Sequence, residues 1–124
     1  ADAPRAIAFL CNAFGFTRHL VHAEGGIVLH AQLLLEETMV MLSSARPDSY
    51  ERFGLVPIGE TGGRSALCIY VVLDDPDAHH AQAKAAGAAI IASPHDNAHG
   101  GRSYEARDCE GIVWSFGSYD PFAG

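Results

Sequence analysis

The segment "ADAPRAIAFLCNAFGF", residues 1–16, has a counterpart in "DDPDAHHAQAKAAGAAI", residues 74–90. Each segment begins with an Asp-x-Pro signal and reaches a glycine thirteen residues after the aspartate. Aspartate is a preferred helix N-cap, proline is favoured in the first turn, and glycine commonly ends a helix. Five identities occur at one offset of 72 residues: Asp2 and Asp74, Pro4 and Pro76, Ala6 and Ala78, Ala13 and Ala85, and Gly15 and Gly87. This pattern favours an internal repeat over two unrelated helices, with Asp2 and Asp74 as the caps.

The first segment also has the apolar spacing of an amphipathic helix. Its apolar residues recur at intervals of three and four: Ile7, Leu10, Cys11 and Phe14. We expect this face to be buried and Gly15 to end the helix after about three turns. In the second helix, His79 and His80 are expected on a solvent-facing side.

Three strand-like segments follow each helix. In the first half they are "FTRHLVH" (16–22), "GGIVLHAQLLL" (25–35) and "TMVMLSS" (38–44); in the second they are "AAIIASP" (88–94), "GGRSYEARD" (100–108) and "GIVWSFGSY" (111–119). Tight turns at residues 36–37 and 108–111 join the last two strands of each half, with Gly111 suited to a positive φ. The pattern predicts an α+β domain over residues 1–124. Module one is 1–44, a linker or mobile loop is 45–64, and module two is 65–124.

The second half contains one element more than the first. "ALCIYVVL", residues 66–73, is rich in strand-forming residues and leads directly into Asp74. Its counterpart should precede Asp2, where only Ala1 stands. We therefore expect a first strand of about 6–8 residues to be missing from the given sequence.

The composition excludes several classes of function. The chain has 8 Lys and Arg against 15 Asp and Glu, a formal charge of −7. This balance argues against a nucleic-acid partner, and no apolar run approaches the roughly 20 residues of a membrane span. Three cysteines without paired spacing indicate free thiols in a reducing compartment, and we expect the cytoplasm.

Two βαβββ modules in this length resemble the vicinal oxygen chelate superfamily, which includes glyoxalase I, bleomycin-resistance proteins and extradiol dioxygenases. The closing stretch "YEARDCEGIVWSFGSYDP" (104–121) looks like the superfamily's Asp-Pro-x-Gly hairpin with an aromatic last strand, although Cys109 stands where proline is usual. With "HAQLLL" and "VMLSS", the chain looks most like the PhnB-like branch. The resemblance implies two curved half-sheets around a cleft.

Strand alternation then assigns side chains to the cleft. The Glu36-Glu37 turn places Leu34 opposite Met39 and Gln32 opposite Met41. The mixed face is predicted to line the cleft and comprises His30, Gln32, Leu34, Met39, Met41 and Ser43. The apolar face is predicted to lie under the helices and comprises Leu29, Ala31, Leu33, Leu35, Val40 and Leu42.

The second half is assigned in the same way. Trp114 and Phe116 are bulky and are expected under the helix, which turns Ser115 into the cleft. The other expected cleft residues are Cys68, Tyr70, Tyr104 and Ala106.

The metal-dependent members of the superfamily place ligands at positions that match Met41, Cys68 and Ser115, with a fourth on the missing strand. A thioether, a thiol and a hydroxyl are poor ligands for hard or borderline ions. The resemblance therefore implies the fold without its usual metal chemistry, and no cofactor is expected. His95, Asp96 and His99 are expected in a surface loop.

Two further side chains are candidates for chemistry. His30 is a candidate catalytic base, or else a hydrogen-bonded cleft histidine without a catalytic role. Arg102 follows a glycine-rich loop and would hold a carboxylate or phosphonate, or else form a salt bridge to Glu105 or Asp108.

The preferred function is a metal-free small-molecule-binding protein for an apolar or aromatic ligand, with drug sequestration as one form. The expected ligand-binding residues are His30, Gln32, Met39, Met41, Cys68, Tyr70, Arg102, Tyr104 and Ser115. The alternatives are a lyase or dioxygenase with an atypical metal site, a metal-free isomerase with His30 as base, and a partner-binding subunit. Superfamily members often dimerise, and we expect a homodimer.

Overall fold

A computed structural model describes residues 2–123 of the chain. Its elements in chain order are α1 (Ala3–Phe14), β1 (Thr17–Glu24), β2 (Ile27–Leu35), β3 (Thr38–Leu42), α2 (Pro47–Phe53), a short 3-10 helix (Ile58–Thr61), β4 (Ile69–Val72), α3 (Pro76–Ala85), β5 (Ala89–Asp96), β6 (Arg102–Arg107) and β7 (Val113–Gly117). Both halves therefore follow their helix with three strands, as the sequence predicts. The strand expected before Asp2 lies outside the described residues.

The strands form two sheets. The first is antiparallel with the order β1-β2-β3, and the second has the order β4-β7-β6-β5. Within the second sheet β4 runs parallel to β7, while β6 runs antiparallel to both of its neighbours. This confirms the predicted mixed α+β class with two sheets.

The caps of α1 are those predicted. The Asp2 carboxylate accepts a hydrogen bond from the backbone N–H of Arg5 at 3.1 Å. At the other end Gly15 adopts a left-handed φ of 77° and donates to the carbonyl of Leu10. A residue with a Cβ would be strained in this conformation, so glycine is the suitable residue at this helix end.

The cap of α3 lies one residue later than predicted. Asp75, and not Asp74, accepts the hydrogen bond from Ala78 N–H, at 3.1 Å. The reason is that Pro76 is the first residue of the helix. Here the residue before proline, Asp75, is the non-helical cap, whereas in α1 Pro4 is the second helical residue and the cap stands two residues before it. The capping aspartates therefore stand 73 residues apart, and the offset of 72 does not align them.

One apolar cluster joins the two halves. Phe14 at the end of α1 is fully buried, and its ring centroid lies 4.8 Å from that of Phe116 and 5.8 Å from that of Trp114. On the other side of the cluster, Ala31 and Leu33 of β2 are also fully buried. The helix of the first half thus packs against strands from both sheets, which makes the core continuous.

His79 on α3 forms hydrogen bonds to both α1 and β6. The expectation that this histidine faces solvent is therefore wrong. Its Nε2 lies 2.6 Å from the carbonyl oxygen of Phe14, and its Nδ1 lies 2.5 Å from the hydroxyl of Tyr104. A carbonyl only accepts, so Nε2 carries the proton and Nδ1 accepts from the Tyr104 hydroxyl. This neutral ring ties α3 to both α1 and β6.

Residues 45–64 contain two helices that the sequence analysis missed. The helix α2 has no buried residue, so the sequence has no apolar face from which this helix could be predicted. Gly54 ends it with a left-handed φ of 67°.

The three cysteines are free thiols, as predicted. Among residues 2–123, no helix is long and apolar enough to cross a membrane.

The partly buried ring of His79 predicts a pH-dependent stability. Burial lowers the pKa of His79, so the folded chain keeps this ring neutral while the unfolded chain protonates it below about pH 6.5. The stability from His79 is then fully present above about pH 6.5 and is lost as the pH falls towards the folded-state pKa. We expect His79→Gln to lower the free energy of unfolding by about 1–3 kcal/mol at pH 7.5.

Urea unfolding at pH 7.5 and pH 5.5 measures this effect. The His79→Gln variant should lose less stability on acidification than the wild type does. His22→Gln, at an exposed position of β1, is the control and should follow the wild type. Equal losses in His79→Gln and the wild type would contradict the prediction.

Candidate functional site

Each sheet has a face that points away from the helices. On the first sheet this surface, the first outer face, carries His30, Gln32, Leu34, Met39 and Met41. The predicted register is confirmed, with Leu34 opposite Met39 and Gln32 opposite Met41. The strand β1 adds two residues that the sequence analysis did not assign, because Leu20 pairs with Gln32 and His22 pairs with His30. Alternation along "RHLVH" is the signal that would have identified them.

The apolar side of this hairpin differs from the prediction at one point. A register irregularity near His22 puts Val28, and not Leu29, into the core, where Val28 is 2% exposed. A bulge of this kind inserts one residue into a strand and reverses the alternation beyond it. The predicted core positions on the other side of the irregularity, including Ala31 and Leu33, are confirmed.

The polar group of the first outer face is a pair formed by His30 and Gln32. The amide Nε2 of Gln32 lies 3.1 Å from Nε2 of His30. An amide nitrogen only donates, so the histidine nitrogen accepts and the ring is the neutral form protonated at Nδ1. Beside this pair, Met39 is 48% exposed and Met41 61% exposed. The first outer face is therefore a thioether surface with one fixed polar pair.

On the second sheet the predicted register of the last hairpin is wrong by one residue. Tyr104 pairs with Phe116 and Ala106 with Trp114, and all four side chains are buried under the helices. Tyr104 and Ala106 are therefore core residues and do not face the cleft. The hairpin turn spans residues 108–112, one residue longer than predicted.

The longer turn is organised by Asp108. Its N–H donates to the carbonyl of Ile112, and its carboxylate accepts from the N–H groups of Glu110 and Ile112 and from the indole of Trp114. A carboxylate that accepts three hydrogen bonds fixes the length of the turn, and the turn length fixes the register of both strands.

The second outer face thus carries Tyr70, Glu105 and Ser115, which lie opposite one another across β4, β7 and β6. Ser115 Oγ donates to Oε2 of Glu105 at 2.7 Å. The other carboxylate oxygen lies 3.7 Å from Nε2 of His95. The expectation that His95 and Asp96 lie in a loop is wrong, because β5 extends through Asp96 with irregular pairing. The placements of Ser115 and Tyr70 are as predicted, and Glu105 is the residue that the sequence analysis missed.

Two more groups border this face. The Tyr70 hydroxyl donates to the carbonyl of Tyr119 at 2.6 Å, and burial raises the pKa of Tyr70. Cys68 precedes β4 and is exposed; burial of its sulfur first, and the charge of Glu105 second, raise the pKa of the thiol. Cys68 is therefore a neutral thiol at neutral pH and not a nucleophilic thiolate.

Arg102 lies on the helix side of the second sheet and not in the cleft. Its Nε and Nη2 each donate at 3.0 Å to the Asp77 carboxylate on α3, and Nη1 donates at 3.1 Å to Asp96. The salt-bridge alternative is therefore correct in kind, but the partners are Asp77 and Asp96 and not Glu105 or Asp108. With its guanidinium held by two carboxylates, Arg102 is already paired as a structural cross-link.

Comparison with known proteins identifies the fold family. The sequence profile of the Glyoxalase/Bleomycin resistance protein/Dioxygenase superfamily matches residues 1–116. The chain belongs to this superfamily. This confirms the resemblance at the level of the superfamily, while the PhnB-like branch stays a prediction.

Solved structures agree with this assignment. TioX from Micromonospora sp. ML1 is 29% identical, with 99% of this chain and 92% of TioX covered and a TM-score of 0.72. A glyoxalase-related enzyme from Fulvimarina pelagi is 13% identical, with 94% and 80% covered and a TM-score of 0.68. A glyoxalase/bleomycin resistance protein/dioxygenase from Nocardioides is 19% identical, with 98% and 79% covered and a TM-score of 0.67. Among curated proteins, no sequence is significantly similar to the chain.

The superfamily implies a metal site, and the resemblance assigns three of its four ligand positions to described residues that do not fit a metal. Met41 is on β3, Cys68 precedes β4 and Ser115 is on β7. A thioether, a thiol and a hydroxyl do not form a ligand set for a hard or borderline divalent ion. Within residues 2–123, moreover, no three His, Cys, Asp or Glu side chains are grouped so that they could hold an ion.

Two cavities of this superfamily member have no residue of the first outer face in their lining. One, of about 350 Å³, is lined by residues 45–47, Tyr50, residues 55–57 and Glu60. The other, of about 450 Å³, is lined by residues 63–68, Arg107 and Val113, and we call it the arginine cavity. Ala106 faces the core, so the next residue, Arg107, lies on the side of the second outer face, where it pairs with Val113. Arg107, Val113 and Cys68 all line the arginine cavity, which therefore borders the second outer face.

The proximity of Glu105 and Cys68 leads to a testable prediction. Glu105→Gln removes the negative charge that contributes to the raised pKa of the Cys68 thiol, so more thiolate is present at a given pH. We expect iodoacetamide to alkylate Cys68 faster at pH 8, by up to about threefold, since charges at partly exposed sites are screened.

Mass spectrometry of the Cys68 peptide measures this rate separately from those of Cys11 and Cys109. Glu24→Gln, an exposed change on β1, serves as the matched control and should leave the rate at its wild-type value. An unchanged or slower rate in Glu105→Gln would show that its charge does not act on the thiol.

Proposed function

We propose that the protein binds a small apolar or aromatic molecule on its outer sheet faces, without a metal or cofactor. The observation that carries the proposal is the pair of half-exposed methionines, Met39 and Met41, beside the His30–Gln32 pair. Thioethers are polarisable and adapt to flat ligands, and one fixed polar pair can orient such a ligand. Cys68, Tyr70 and Ser115 supply the matching positions on the second sheet.

The hydrogen bonding of both faces supports binding over catalysis. The lone pair that His30 would need as a base already accepts the Gln32 amide. On the second sheet, Glu105 accepts from Ser115 and lies beside His95. Both groups are held in place by neighbours, as polar groups that orient a ligand usually are.

Catalysis remains the alternative, as a lyase, isomerase or dioxygenase of the same superfamily. It has its own test: metal analysis of the purified protein, and the turnover of His30→Ala. Stoichiometric Zn, Ni, Mn or Fe, or a turnover that His30→Ala abolishes, would replace binding by catalysis.

The charge of the chain and its cysteines bear on the ligand and the compartment. At a formal charge of −7, the chain would attract cationic aromatic molecules, which is compatible with drug sequestration. Its three free cysteines are those of a protein in a reducing compartment, and we propose the cytoplasm.

We also propose that two copies of the chain form a homodimer. Leu20, Met39 and Met41 are each about half exposed or more on the first outer face, and a monomer rarely leaves a large apolar area open to water. A second copy would cover part of this area and would deepen the shallow outer faces into a pocket. A partner-binding subunit would instead bind another protein on the same area.

Ligand binding is tested with a panel of planar aromatic drugs, cationic and neutral. We expect saturable binding for some members by calorimetry, and Met41→Gln should weaken it about tenfold, because a buried thioether is worth roughly 1–2 kcal/mol. Calorimetry is preferred because Trp114 lies in the core and is a poor reporter of outer-face binding.

The matched control for this experiment is Leu55→Gln, at an exposed apolar residue outside both sheets. It should leave binding unchanged. An absence of saturable binding over the whole panel, or equal binding by the wild type and Met41→Gln, would refute the proposal.

Light scattering tests the dimer. We expect a mass about twice the 13.2 kDa of the chain, and Leu20→Glu should shift it towards the monomer because a carboxylate would be buried in the interface. Leu55→Glu is the control and should remain dimeric. A monomeric wild type at concentrations where the drug panel binds would remove the dimer from the proposal and leave binding intact.

A further inference from the structure

The arginine cavity is lined by two arginines within an acidic protein. Two of the eight cationic residues of the chain, Arg64 and Arg107, line this one cavity of about 450 Å³. No aspartate or glutamate is among its lining residues, although the chain has 15 of them. A lining with two arginines and no acidic residue favours a negatively charged occupant.

The two guanidinium groups are available for a ligand. In the part of the chain that the structure describes, neither arginine forms an ion pair with an acidic side chain. Arg107 uses Nη1 to donate to the carbonyl of Gly111 at 3.1 Å, and its other donors stay open. Arg102 differs in this respect, since two aspartates hold its guanidinium. Arginine donors match the two oxygens of a carboxylate in geometry.

The segment that carries Arg64 is held in a defined shape. The Thr61 hydroxyl lies 2.6 Å from the carbonyl of Arg64 and 2.7 Å from that of Ile58. Gly62 and Gly63 then adopt left-handed φ values of 72° and 76°, a run that residues with a Cβ rarely adopt. These contacts hold the backbone around Arg64, which lines the cavity together with Arg107.

The remaining walls are apolar or neutral. Leu67 is 81% exposed, which is unusual for a leucine, and it stands beside Val113 in the lining. Cys68 is a neutral thiol, because its pKa is raised, so it adds no negative charge. Glu105, whose charge acts on Cys68, is outside the lining and is engaged with Ser115 and His95.

We propose that the arginine cavity binds the carboxylate of a small organic acid, with its apolar body against Leu67 and Val113. The site lies on the second sheet, and it does not depend on whether the first outer face binds a drug. It explains why an acidic chain leaves two guanidinium groups and an exposed leucine around one depression.

The test compares 2-naphthoate with its neutral analogue 2-naphthamide. Each is titrated into ¹⁵N-labelled protein, and the amide signals of Gly63, Cys68 and Val113 are followed. We expect saturable shifts and an affinity for the acid about tenfold above that for the amide, as one charge-assisted pair gives. Added salt should reduce this preference.

Three variants identify the charges responsible. Arg64→Gln and Arg107→Gln should each reduce the preference for the acid, and the double variant should abolish it. Arg52→Gln, which removes an exposed guanidinium paired with Asp48 on α2, is the matched control and should keep the preference. Arg64 is exposed, so its replacement tests the site without an effect on the core.

Four results would overturn the proposal: no saturable shift with 2-naphthoate, equal affinity for acid and amide, a preference that survives in the double variant, or shifts confined to Gln32, Met39 and Met41. The last result would instead support ligand binding on the first outer face. A failure of the drug panel there would leave the arginine cavity untouched, so the two proposals fail separately.

Discussion

The neutral ring of His79 and the Phe14 side chain beside it hold the two halves of this protein together. The ring accepts from Tyr104 of β6 and donates to the last residue of α1, while Phe14 packs on Phe116. A partly buried pair of hydrogen bonds that joins three elements fixes their relative positions more strongly than apolar contact alone, since each unpaired group would be costly. The direction in which each sheet presents its outer face follows from this fastening.

Strand register then decides the chemistry of those outer faces. In the first sheet, the two-residue turn at Glu36-Glu37 leaves little freedom, and the thioether surface and the His30–Gln32 pair follow from alternation. In the second sheet, the Asp108 carboxylate sets a longer turn. It exchanges Tyr104 for Glu105 on the outer face. A single buried carboxylate thus determines whether the second face is aromatic or acidic.

The same contrast explains what the sequence could predict. Helix caps, strand order and the first outer face follow from local rules, because glycine, proline and alternation act within a few residues. The position of Tyr104 depends on the length of a turn. The contact between His95 and Glu105 depends on irregular strand pairing in β5. The cross-link from Arg102 reaches Asp77, which is 25 residues away in the sequence. No periodicity encodes such features. The cap of α3 shifted for a simpler reason: in the residues "DDP" two aspartates compete, and proline selects the second.

The two outer faces differ in the kind of ligand that each can select. The first has exposed sulfur and one neutral polar pair, so shape and polarisability must discriminate, and such contacts tolerate many flat molecules. The second carries a carboxylate held by Ser115, and the arginine cavity with its two arginines borders it. Charged groups in fixed positions reject molecules that lack the complementary charge, because the unpaired charge must be desolvated. If a dimer brings the first and second outer faces together, both would line the same pocket. The first outer face would accept many flat molecules, and the charged groups of the second would determine which of these molecules stay bound.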